Sequence, residues 1–141
     1  MTPLHPARLT RLRGYLSECQ VDALLVLNPA NRRYLSGYRA EDGSCEESAG
    51  ALIVSRNHLI LATDGRYRLQ ADREAPGFEV LTYRRGLEEA LPEWLAPAGI
   101  RRLGFESARM WVRQFRRLEK LLAAGLHPVS LVATEDIVER L

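Results

Sequence analysis

Four carboxylates and a thiol share the stretch "AEDGSCEES", residues 40 to 48: Glu41, Asp42, Glu46, Glu47 and Cys45. Clustered carboxylates are what a hard cation such as calcium takes. Calcium loops alternate their donors as D-x-D-x-D, and this stretch does not. Its acidity also opposes a reactive Cys45, because nearby negative charge raises a thiol's pKa. The stretch therefore reads as a polar, solvated loop. The three histidines, His5, His58 and His127, fall in different predicted elements and form no ligand set. H-E-x-x-H, G-x-x-x-x-G-K-[ST], G-x-S-x-G and G-x-G-x-x-G do not occur.

Arginine offers a second chemistry. The pairs Arg32-Arg33, Arg84-Arg85 and Arg101-Arg102, with Arg113, Arg116 and Arg117, could neutralise phosphates along a nucleic acid. Glu88, Glu89, Glu93, Glu106 and Glu119 are interleaved with them, which favours a mixed, solvated surface. The net charge of +2 also argues against a dedicated nucleic-acid binder. Within "NRRYLSGY", residues 31 to 38, two arginines before a tyrosine fit either a phosphate grip or a packing unit without a ligand. The residues alone leave both open.

The elements that must position these groups are legible from spacing. Leu9, Leu12 and Leu16 predict a helix over 5–19, weakened at Gly14 by about 1 kcal/mol relative to alanine. "DALLVLN" (22–28) reads as a buried strand and "ANRRYLSG" as a short helix ended by Gly37. "AGALIVS" and "HLILAT" read as a hairpin across "RN", with Asn57 taking positive φ. Asp64 is a plausible N-cap for the helix that follows, which carries Tyr67 and Ala71. Strand "FEVLTY", helix "GLEEALPEWLAP", strand "RRLGFE", helix "MWVRQFRRLEKLLAAG" and strand "HPVSLVA" come next. "TEDIVERL" predicts a helix start with Thr134 as cap. So short a helix has little to stabilise it alone, and it is expected to lead into a further segment.

Strands alternating with helices predict an α/β fold, and the hairpin makes the sheet mixed. A length of 141 residues fits one domain over 1–141, and 46% hydrophobic residues suffice for its core. Nineteen of the 20 basic residues are arginine, which reads as a codon-composition bias. Cys19 and Cys45 form no CxxC pair, so a reducing compartment is expected. The N-terminus lacks the apolar region of a signal peptide, and no apolar run is long enough to span a membrane.

"NRRYLSGY" resembles the N-x-R-Y-L-[ST]-G-[FY] motif of the creatinase/prolidase N-terminal domain. "LATDGRYRLQA", residues 61 to 71, is similar to that family's L-x-T-D-x-R-Y-x-x-Q-A motif, and "GALIVS" to its G-A-L-L-V strand. The resemblance covers about residues 5 to 141. It implies a three-layer α/β domain with a mixed, ribonuclease H-like sheet. It implies a non-catalytic domain ahead of a pita-bread catalytic domain that lies outside this chain. There, two aspartates, one histidine and two glutamates would hold two divalent metal ions, manganese, cobalt or zinc, with no cofactor in this chain. The parent would be a cytoplasmic metallopeptidase of the Xaa-Pro aminopeptidase or prolidase kind. Its partners would be its own catalytic domain, further copies in a homo-oligomer and a peptide substrate, with no nucleic acid and no membrane. A creatinase-like amidinohydrolase parent, or a stand-alone small-ligand or nucleic-acid binding module, are the alternatives.

The resemblance marks Asn31, Arg33, Tyr34, Gly37, Asp64, Arg66 and Tyr67 as family-motif residues of structural role. Arg33, Tyr34, Arg66 and Tyr67 are expected to cluster beside the strand ends. Relatives join the two motifs through a short "TGS"-like link, whereas Arg39 to Ala49 is longer and acidic here. Tyr38 and Arg39 are therefore expected to help shape a neighbouring subunit's peptide cleft.

Overall fold

Side chains alternate across a strand, so each strand here feeds two cores. In β1 (Ala23–Val26), Leu24 and Val26 face one side while Ala23 and Leu25 face the other, and all four are fully buried. A computed structural model describes residues 6–43 and 48–141. The expectations for His5, Cys45, Glu46 and Glu47 lie outside the described residues.

The remaining strands are β2 (Ala51–Ser55), β3 (Leu59–Asp64), β4 (Glu79–Tyr83), β5 (Arg102–Glu106) and β6 (Ser130–Thr134). They form one sheet in the order β4-β3-β2-β1-β5-β6. β2 runs antiparallel to both its neighbours, and every other pairing is parallel. Five strands therefore end at the same edge.

One face is covered by α1 (Pro6–Glu18), α2 (Pro29–Ser36) and α3 (Arg68–Glu74). Leu9, Leu12 and Leu16 of α1 are buried there, as their spacing predicts. The other face takes α4 (Leu87–Leu95), through Leu87, Leu91 and Leu95, and α5 (Val112–Ala123), through Leu118 and Leu122. Each such leucine contributes about 1.5–3 kcal/mol on burial. The result is the expected three-layer α/β domain with a mixed sheet and one hairpin.

Two local expectations need correction. Neither hairpin residue uses positive φ: among the described non-glycine residues only Gln20 and Asp136 do. Instead the Ser55 hydroxyl accepts from the backbone N–H of Asn57 (3.3 Å) and of His58 (3.0 Å), which holds the turn. Thr134 is not a helix cap either. It ends β6, its hydroxyl donates to the Phe105 carbonyl at 2.9 Å, and Asp136 breaks the path with φ 55°. A single 3-10 turn, Val138–Arg140, follows, and Ile137 and Val138 are buried beside α1's leucines.

Candidate functional site

Ligands of open α/β sheets sit outside the carboxyl ends of the strands. The signature residues gather at that edge in this chain. Asn28 caps α2, its side-chain oxygen accepting from Ala30 N at 2.9 Å and Asn31 N at 3.4 Å. At the end of β5, Glu106 accepts from Leu27 N (2.7 Å), Asn28 N (2.9 Å) and the Asn31 amide (2.6 Å). Asn31 thus ties α2 to the sheet. Burial pushes the Glu106 carboxyl above the usual range, against the opposing effect of these hydrogen bonds.

Arg32 points inward from the same helix, and its side chain is fully buried. Its fork faces Asp42, with Nη2–Oδ1 at 3.0 Å and Nη1–Oδ2 at 3.3 Å. Nη2 also donates to the Ala40 carbonyl at 2.6 Å, and Nη1 to the Gly50 carbonyl at 2.7 Å. Among the described residues its Nε is buried without a partner. Asp42 in turn accepts from Ala49 N at 2.9 Å. The carboxylate taken from sequence as part of a solvated loop is therefore a buried ion pair.

Gly37 ends α2 with φ 87°, its N–H donating to the Arg33 carbonyl at 2.8 Å. Next to it, Tyr38 turns into the core of its own chain. Its side chain is fully buried, and its hydroxyl donates to the Ala49 carbonyl at 2.9 Å, which also accepts from Thr63 at 2.7 Å. Desolvation raises the Tyr38 pKa, opposed by Thr63 and Arg32. Arg39 is exposed, and its backbone N–H donates to Glu74 at 2.8 Å.

At the end of β3, Asp64 starts the next turn as expected, accepting from Arg66 N at 2.8 Å. The Arg66 guanidinium also binds it, at 2.9 Å, and holds its carboxyl below the usual range. The Arg66 side chain is 81% exposed and lies 5.4 Å from the Tyr67 ring centroid. The expected four-residue cluster does not assemble. Tyr34 stacks under Arg8 at 3.8 Å, and Arg33 is exposed beside Arg39 along a separate depression of about 320 Å³.

Between these groups opens a polar cleft of about 480 Å³. Glu41, Gly43 and Ser48 form one wall; Asp64, Arg66, Tyr67 and Tyr83 contribute to the rest. Burial pushes the Tyr83 phenol up to about 12, so it stays an O–H donor. Arg32, Asp42, Glu106, Thr63 and Tyr83 escaped the sequence reading as site residues. A signal existed for Arg32, which precedes Leu35 and Ser36 by three and four positions and shares their buried face.

The described residues contain no grouping of three or more His, Cys, Asp or Glu side chains that could hold a metal ion. They do not fit a dinuclear centre, and no metal-dependent step is assigned to them. Ser55 and His58 approach at 3.3 Å, at the hairpin. Ser55 is buried there and its hydroxyl already accepts two backbone N–H groups, so the pair builds a turn rather than a nucleophile.

A three-layer α/β domain whose signature residues cap and tie down the segments at the carboxyl edge of its sheet is a defined class. The chain belongs to the creatinase/prolidase N-terminal domain family, which it matches over residues 8–141. It is 34% identical to the crystallised N-terminal domain of the cytoplasmic peptidase PepQ from Mycobacterium tuberculosis, with a TM-score of 0.80, covering 95% of this chain and 97% of that one. It is 28% identical over 134 residues to the uncharacterized peptidase YqhT of Bacillus subtilis, covering 95% of this chain and 35% of that protein. A probable Xaa-Pro aminopeptidase P of Chaetomium globosum is 31% identical over 140 residues, covering 88% of this chain and 22% of that protein. The chain thus spans about a third or less of these curated relatives. Among the described residues, no helix is long and apolar enough to cross a membrane.

Proposed function

We propose that this chain is the non-catalytic N-terminal domain of a metal-dependent, Xaa-Pro aminopeptidase-like metallopeptidase. Its work is subunit contact and control of substrate access to an adjacent catalytic domain. The observation that carries this reading is the use of the signature residues. Asn31, Gly37 and Asp64 bond within the chain and hold the strand ends, which leaves the chemistry to be done elsewhere. The kinship with peptidases several times longer supports the same division of labour. Arg39, exposed at the edge, remains the residue for contact with a neighbouring cleft. The cytoplasm is the compartment, in line with the cytoplasmic relative. The arginine surface is balanced in part by carboxylates, Arg117 with Glu89 and Arg68 with Asp72, which favours a peptide-handling role over nucleic-acid binding.

The test has two arms. The purified chain, supplied with manganese, cobalt or zinc, is expected not to hydrolyse an Xaa-Pro peptide. The reading frame continued past Leu141 is expected to encode two aspartates, one histidine and two glutamates of a metal site, and its product to cleave the same peptide. Turnover by the chain alone, or a continuation without those ligands, removes the reading.

A further inference from the structure

We infer that Arg32 and Asp42 are a positioning pair that fixes Ala40, Ala49 and Gly50 and so sets the part of the edge cleft lined by Glu41, Gly43 and Ser48. The geometry is specific to a guanidinium. Its two terminal nitrogens share one carboxylate, and each has a second acceptor, one before Asp42 in sequence and one after it. Nη2 reaches the Ala40 carbonyl at 2.6 Å. Nη1 reaches the Gly50 carbonyl, ten positions further on, at 2.7 Å. Asp42 then crosses to Ala49 N at 2.9 Å, closing the neck a second time. Ser48 adds a bond to the Gly50 carbonyl at 2.8 Å. A lysine ammonium is a point charge and cannot hold this fork.

The pair lies behind the wall rather than in the cleft. Glu41, Gly43 and Ser48 line the cleft, and each sits within one residue of a group that Arg32 or Asp42 holds or of that pair itself. Arg32 lies 5.1 Å from the centroid of the buried Tyr38 ring, whose hydroxyl donates to the Ala49 carbonyl. Moving the fork therefore moves the neck, while the sheet has its own ladder of hydrogen bonds. That the wall faces a neighbouring catalytic cleft rests on the function proposed above; that the pair sets the wall does not.

Amide hydrogen exchange on the purified chain tests the inference, with Ala49 N–H as reporter. Two variants are compared with the parent: Arg32→Lys, which keeps the charge and removes the fork, and the double change Arg32→Met with Asp42→Met, which leaves no unpaired buried charge. Hydrogen bonds to charged groups are strong enough that losing them should speed Ala49 exchange about tenfold or more in both variants. The amides of Leu24, Val26 and Ile53 should keep their parental rates. Parental exchange at Ala49 in Arg32→Lys overturns the inference, since charge alone would then suffice. If Arg32→Lys does not fold, the double variant decides through the Gly50 N–H, whose acceptor Ser48 neither change removes: parental Gly50 exchange overturns the inference. Equal acceleration of Ala49 and the sheet amides also overturns it, because the pair would then hold the whole fold and not the loop. No substrate and no second domain enter the experiment, so its failure leaves the peptidase reading standing.

Discussion

Glu106 shows how one side chain can matter for packing and for pH response together. It takes three hydrogen bonds from α2 and its approach, yet burial dominates and raises its pKa. A carboxyl whose folded pKa is raised contributes stability that is fully present below its unfolded pKa and is lost as pH rises through the folded value. Glu106→Gln removes that titration while keeping an oxygen that can accept from the backbone. The stability advantage of the parent over this variant should therefore shrink as pH rises from about 4 to about 8. Urea midpoints across that range measure it, and an advantage that grows with pH would contradict the assignment. Asp64 works with the opposite sign: its pKa is lowered, chiefly by the hydrogen bond from Arg66, and its contribution is lost as pH falls. Comparing one variant with the parent separates the two.

The elements meet at close quarters where the long loop enters β2. Gly50 is placed there by sterics: a Cβ would lie 2.8 Å from the Ala62 carbonyl oxygen and 3.3 Å from the Tyr38 ring. The first of these is backbone of β3 and cannot swing away. Gly50→Ala should then cost about 1–3 kcal/mol, the usual range for overpacking. Thermal melts should show this as a midpoint several degrees lower, and a midpoint equal to the parent's would mean that β2 and β3 part more easily than their ladder suggests. The family resemblance implies that the segment ending at this glycine is longer than the link in relatives. Added length is cheap, about 0.6 kcal/mol for each doubling of a flexible loop. An insertion is thus tolerated provided its two ends stay together, which the Arg32 fork, the Asp42 bond to Ala49 and the tight seat of Gly50 all serve.

At the scale of the molecule, two cores share one sheet, and β1 and β2 supply side chains to both. Neither core can be lost without exposing the reverse of the same strands. A single cooperative transition is expected, with a calorimetric enthalpy of about 100 kcal/mol near 60 °C from the usual per-residue value. Scanning calorimetry in which the van't Hoff enthalpy falls well below the calorimetric one would show the two faces melting separately. What could be read from the chain before folding was local. Leucine spacing set α1, apolar runs marked the strands, Gly37 ended α2, and two signature segments identified the family. Such features depend on residues a few positions apart, so periodicity and turn chemistry reveal them. Arg32 bonding Asp42, Asn31 reaching Glu106 75 positions away and Tyr38 turning inward to Ala49 were decided by tertiary structure. A charged or polar side chain has no intrinsic preference that announces burial. It can go inside only where a distant segment brings the partner that offsets desolvation, and that partner is fixed by how the strands cross and pair.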